Sequence, residues 1–247
     1  MASWLFALLA APFAGSLLYV LVRRLPRARP DLWGRSRCEG CGVALGPRNL
    51  VPIASYLAQR GRCAACGARI APAHLAAECL AIVIAAAAVA SGARGAALWE
   101  GCALGWALLA LAWIDLEHFI LPDALTLPLI VAGVALAAPD GPGALIDRSA
   151  GAILGYVGFS VLRWLFRKLR GREGLGQGDA KLLAVAGAWL GWGALDSTIL
   201  LAAVLGLGAA MLARVRGADI GRGTKLPFGP PLATAIFVLW LLAAWQG

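Results

Sequence analysis

The chain has 247 residues, 61% of them hydrophobic and 14% charged, with a net charge of +9. So apolar a composition excludes an ordinary soluble domain. The surplus of positive charge would suit a nucleic-acid binder, but the basic residues gather in loops between apolar stretches, where they set membrane topology, so nucleic acid is not expected as a partner.

Apolar segments fit to cross a bilayer, which takes roughly 17–25 residues, are read near 3–22, 74–92, 97–114, 124–138, 149–166, 180–193, 196–213 and 228–245, the sixth being short. The expected fold is an all-α polytopic membrane protein of about eight transmembrane helices. Its expected divisions are a first transmembrane helix at 1–22, a cytoplasmic loop at 23–73 and a transmembrane core at 74–247. The first segment, MASWLFALLAAPFAGSLLYVLV, lacks the basic start of a secretory signal. Arg23 and Arg24 follow the apolar run instead, which predicts an uncleaved helix with its amino end outside.

The 23–73 loop carries ten arginines, Arg27 and Arg29 among them, which places it in the cytoplasm. Eight crossings then put 115–123, 167–178 and 214–227 on the same side, with Arg167, Lys168, Arg170, Arg172, Arg214, Arg216, Arg222 and Lys225. The opposite loops hold Arg94 and Arg148. No internal repeat competes with this plan.

Four cysteines fall in the first loop as CEGC (Cys38, Cys41) and CAAC (Cys63, Cys66), with 21 residues between the pairs. Two C-x2-C pairs supply the four thiolates of a closed tetrahedral zinc site, a structural staple rather than a reactive centre. Gly40, Gly42 and Gly67 fit the turns, and Arg37 and Arg62 offset thiolate charge. Disulfides are disfavoured in a reducing compartment. Cys79 and Cys102 lie in apolar spans and read as small buried residues.

Asp115 ends the third span in WIDLEHFILPD and Asp179 opens the sixth in GLGQGDAKLL. The topology puts both on one membrane face at one depth, although they are far apart in sequence. Acids at a membrane boundary tend to have a role. Asp179 is also a possible helix cap, and Asp123, after Pro122, reads as the cap of the span that follows it. Asp115 resists that explanation, because a negative charge at a helix carboxyl end meets the wrong end of the dipole. Two neighbouring carboxylates cannot both ionise readily, so they share a proton: one activates water while the other polarises a carbonyl. That pattern points to peptide hydrolysis, with Gly174, Gly176 and Gly178 allowing a scissile peptide to approach the backbone.

Lys181 is expected to snorkel toward lipid headgroups, and His74 and His118 to sit at the surface. Glu78, inside the second span and near the cytoplasmic side, is a candidate to face a cofactor cleft.

GSLLYVLVRRLP, the two cysteine pairs with NLVPIASYLAQRGRC between them, IDLEHFILPD, GQGDAKLLAVAGAWLG and KLPFGPPLA follow one another along nearly the whole chain. In this order they resemble the bacterial prepilin peptidases, or type IV leader peptidases, of the bifunctional form. The resemblance implies Asp115 and Asp179 as the catalytic aspartates of a G-x-G-D aspartyl protease and Cys38, Cys41, Cys63 and Cys66 as zinc ligands. It implies cleavage of the basic leader of prepilins or pseudopilins just after a glycine, at the cytoplasmic face of the inner membrane. Methylation of the new amino terminus follows, with S-adenosylmethionine as donor and the cysteine loop as the methyltransferase-associated region. The family usually carries asparagine where this chain has Tyr19.

Gly176, Gly178, Pro122 and Asp123 are expected to support substrate and loops around the dyad. Rivals are a presenilin-type protease, which needs a tyrosine where Ile114 precedes Asp115, and a transporter, whose acids tend to lie near mid-membrane. The residues set no oligomeric state.

Overall fold

A computed structural model describes residues 3–26, 34–171, 176–217 and 226–246. Gly174, Arg27, Arg29, Arg172, Arg222 and Lys225 lie outside the described residues. Among the described residues the regular elements are helical, apart from two isolated antiparallel bridges, Arg37 to Ala44 and Arg62 to Arg69. The helices are α1 (Ser3–Arg24), α2 (Ala54–Ala58), α3 (Pro72–Ala90), α4 (Gly95–His118), α5 (Asp123–Ala135), α6 (Pro142–Arg170), α7 (Gln177–Leu190), α8 (Leu195–Val215) and α9 (Gly229–Gln246).

Prolines mark several of the starts. Pro72 and Pro142 occupy the first position of α3 and α6, where a missing amide costs no hydrogen bond and the fixed φ suits the helix. In α9 the first turn reads Gly-Pro-Pro, so Gly229 is left with the one amide among its first three residues.

Every predicted span has a helix at its place, and the chain is a multi-pass membrane protein. Among the described residues, six helical segments are long and apolar enough to cross a bilayer, and Gly229–Trp245 is a shorter apolar one. The sixth predicted span, read as short, is short. It appears as α7, displaced toward the amino end and only 14 residues long, about 21 Å at 1.5 Å per residue against a hydrocarbon core of about 30 Å. Its apolar composition comes from burial within protein rather than from lipid exposure. Asp179, Ala180 and every residue from Leu182 to Trp189 are buried, as expected of a helix apolar on all sides.

The chain divides into two compact units, Met1–Trp106 and Ala107–Gly247, with the boundary inside α4. In the first, α1 packs on α3. Contact is so close that a Cβ on Gly15 would lie 2.5 Å from the Glu78 Cα and 2.6 Å from the Ala77 carbonyl oxygen. Trp106 donates its indole N–H to the Ala81 carbonyl at 3.0 Å, tying the middle of α4 to α3.

In the second unit α7 is the central element, packed on α5, α6 and α9. Gly151 and Gly155 of α6 bring that helix against the α7 backbone: Cβ atoms there would stand 2.6 Å from the Gly187 oxygen and 2.5 Å from the Leu183 oxygen. This is the small-residue packing by which membrane helices associate closely. Trp189 anchors the far end of α7, its indole N–H donating to the Leu129 carbonyl of α5 at 2.8 Å.

Candidate functional site

The carboxyl end of α4 and the amino ends of α5, α7 and α9 converge at one end of the second unit. Asp115 and Asp179 are both buried there, 6% and 8% exposed, and Asp179 lies within electrostatic reach of Asp115. Each accepts a backbone amide from a glycine at the start of a helix. Asp179, on the first turn of α7, reaches back to the Gly176 N–H at 3.1 Å, the acidic half of a capping box. Asp115 accepts the Gly229 N–H of α9 at 2.9 Å. A hydrogen bond to an ionised group contributes about 1.5–3 kcal/mol, and each helix start also favours negative charge. The dipole mismatch of Asp115 on its own helix is thus offset by a second helix.

Both glycines are required by space. A Cβ on Gly176 would lie 2.8 Å from Asp179 Oδ2, and one on Gly229 would lie 2.6 Å from Asp115 Oδ2. Gly178 serves the loop instead: a Cβ there would meet the Leu121 side chain at 2.9 Å. The turn between α4 and α5 is itself strained, since Phe119 has a φ of +56°. For a residue other than glycine that conformation costs about 1–3 kcal/mol.

Three expectations are corrected here. Asp123 makes no cap hydrogen bond; Pro122 holds the cap position of α5, and its carbonyl accepts the Thr126 hydroxyl at 3.2 Å. Asp123, the first residue of α5, pairs instead with Lys181 of α7. Lys181 therefore turns toward protein rather than lipid, because a carboxylate at hand outcompetes a headgroup. Cys79 is exposed on α3, while Cys102 is buried as expected.

In the first unit the four loop cysteines come together, with all their Sγ atoms within 4.8 Å of one another. Cys38 and Cys66 Sγ are 3.8 Å apart, which matches the roughly 3.8 Å edge of a tetrahedron of sulfurs bonded at 2.3 Å to zinc. All six cysteines are free thiols, so the donor set fits a zinc ion. The backbone amides of Cys41 and Gly40 lower the Cys38 thiol to about 6, whereas Cys66, despite the Ala68 amide, is raised to about 11, chiefly by the neighbouring Cys41 thiol.

The two knuckles are a short internal repeat within the loop. RCEGCG and RCAACG fold alike: Cys38 N donates to Val43 O and Cys63 N to Ala68 O, while Gly42 and Gly67 both take a φ of +71°.

Beside this cluster lies a cavity of about 640 Å³. Glu78 lines it and is 6% exposed, with Oε2 accepting the Ile53 amide at 2.6 Å. Ile53, a β-branched residue at φ +59°, is strained at that contact. Tyr19 and His74 also line the cavity, their ring centroids 4.0 Å apart. His74 is half-buried against Tyr19 rather than at the surface, whereas His118 is exposed beside Glu117.

The type IV leader peptidase family matches residues 102–211, and the bacterial peptidase A24 N-terminal domain matches residues 9–91. A prepilin leader peptidase/N-methyltransferase of Burkholderia pseudomallei is 39% identical over 254 residues, covering 92% of this chain and 82% of that protein. The chain belongs to the type IV leader peptidase family. Further members carrying the same name are similar over most of both chains. The one from Pseudomonas aeruginosa is 37% identical, covering 96% of this chain and 90% of its own length. That from Aeromonas hydrophila is 35% identical, covering 96% and 91%. No solved structure matches.

Of the motifs quoted from the sequence, KLPFGPPLA contains the residue that sequence reasoning missed. Gly229 acts through its backbone amide, and the two following prolines were the available signal, since they leave that amide as the donor of the first turn.

Proposed function

We propose that this protein is an aspartyl endopeptidase of the inner membrane that removes the basic leader of prepilins or pseudopilins just after a glycine, then methylates the new amino terminus. The observation that carries the first activity is the meeting of Asp115 and Asp179, both buried and each held by one amide. In this reading one aspartic acid donates its proton to the scissile carbonyl oxygen. The other, as carboxylate, takes a proton from a water whose oxygen attacks the carbonyl carbon, and the C–N bond then breaks as the leaving amine is protonated.

The charge pattern of the loops supports placing this chemistry at the cytoplasmic face. There a substrate's basic leader would stay in water while its apolar helix lay in the bilayer. Residues 74–247 would supply the peptidase, with Gly176, Gly178, Pro122 and Asp123 keeping the loops around the dyad in place. The 23–73 loop, folded around one zinc ion on Cys38, Cys41, Cys63 and Cys66, would serve methyl transfer. S-adenosylmethionine supplies a methyl carbon on a sulfonium that a neutral amine can attack.

The direct test is to incubate the purified protein in lipid with a full-length prepilin and weigh the product. A leader-free chain that gains the mass of one methyl group when S-adenosylmethionine is added is expected. Uncut prepilin would overturn the reading.

A further inference from the structure

None of the residues assigned to leader cleavage lines the cavity in the first unit, and the cavity's own lining points to a ligand. We propose that this cavity binds the methyl donor, with Glu78 facing its cationic half and the arginines at the mouth facing its carboxylate. This rests on the methyltransferase reading above and adds a site to it.

Volume is the first consideration, since about 640 Å³ falls within the range of small-molecule and cofactor sites. Charge is the second. The lining includes two acids, and Glu39 is exposed and engaged with Arg23 at 3.6 Å. Glu78 is therefore the buried acid of the cavity. Arg35, Arg37 and Arg69 line it as well and are exposed. A ligand that fits carries positive charge at one end and negative charge at the other.

The third consideration is aromatic. His74 stands one turn before Glu78 on α3, and Tyr19 of α1 meets its ring. Ring faces beside a carboxylate attract a sulfonium through their quadrupole and also stack on a purine. A sulfonium nucleoside amino acid has all of these features, whereas a zwitterionic lipid headgroup lacks the aromatic part.

The sequence builds this geometry deliberately. Gly15 lets α1 approach α3 closely, which sets Ser16 and Tyr19 against Glu78 and His74. The Ile53 amide then fixes one oxygen of Glu78, at a backbone angle that a β-branched residue does not adopt freely. Strain of this kind persists where the surroundings over-determine it.

The test uses the full chain in phosphatidylcholine nanodiscs, titrated with S-adenosylmethionine and with its neutral thioether product S-adenosylhomocysteine. Wild type is expected to prefer the sulfonium. Glu78→Gln, which keeps the shape and removes the charge, is expected to weaken sulfonium binding tenfold or more and thioether binding little, so that the preference collapses. Ultraviolet cross-linking of methyl-labelled donor to wild type gives a readout that needs no variant. Label is expected on peptides containing Tyr19 or His74, displaced by excess donor and not by short-chain phosphatidylethanolamine.

An unchanged preference in Glu78→Gln, label confined to residues 107–247, or displacement by the lipid would overturn the site. With methylated product still formed by wild type, any of these results would leave the methyltransferase reading standing. Absence of both binding and methylation would overturn the two together.

Discussion

The amide of Gly229 donates to Oδ2 of Asp115 at 2.9 Å, joining the first residue of α9 to the last turn of α4 across 114 positions of sequence. A methyl group in place of the glycine hydrogen would stand 2.6 Å from that oxygen and push the carboxylate out of position. Gly229→Ala should therefore lower kcat/KM for prepilin cleavage tenfold or more, about 1.4 kcal/mol. Gly208→Ala should leave it unchanged, since a Cβ at Gly208 meets nothing within 4 Å. Equal activity of the two variants would show that this hydrogen bond does not position Asp115.

Asp123, the first residue of α5, and Lys181, the fifth of α7, form an ion pair, with side chains 59% and 21% exposed. Screening by water limits such a pair to about 0.2–1 kcal/mol. Asp123→Asn and Lys181→Met should each lower unfolding stability by less than about 1 kcal/mol, and the double variant should cost less than the sum of the two. Strict additivity in such a cycle would mean that Lys181 spends its time on lipid instead.

The cysteine cluster should carry one zinc per chain by elemental analysis, and Cys41→Ser should release it, since three thiolates leave a structural site open. Zinc stoichiometry unaffected by this change would place the metal elsewhere. Because both knuckles lean on the same ion, loss of zinc should also expose the 34–71 segment to protease.

Gly15 is the contact point of α1 and α3. Gly15→Ala puts a methyl group against backbone, which cannot swing aside as a side chain can. Overpacking of this kind costs about 1–3 kcal/mol, and thermal unfolding in detergent should show it. Full stability would mean that the helices have room to part.

Much of this architecture was legible in the sequence, and the gaps have physical causes. Long apolar runs announced the helices because lipid accepts little else. α7 was read three residues late, because its start is set by the backbone of Gly176 and its capping contact with Asp179 rather than by the apolar run. Asp115 stood out by its conflict with its own helix dipole, and Cys38, Cys41, Cys63 and Cys66 by spacing. What stayed hidden depends on long-range proximity: the Lys181 partner of Asp123, the Tyr19–His74 ring pair and the Gly229 amide. Side-chain identity carries no trace of a backbone donor. The repeat of the two knuckles was visible in RCEGCG and RCAACG, and only its brevity concealed it.

The central claim is that Asp115 and Asp179 form one catalytic unit. Its most direct measurement is leader cleavage of a full-length prepilin by purified protein in lipid, read by product mass, for wild type, Asp115→Asn, Asp179→Asn and the double variant. Residues that act as a unit are non-additive, so each single variant should lose cleavage as completely as the double. Cleavage persisting in either single variant would contradict the account and make that aspartate a structural residue of the helix ends.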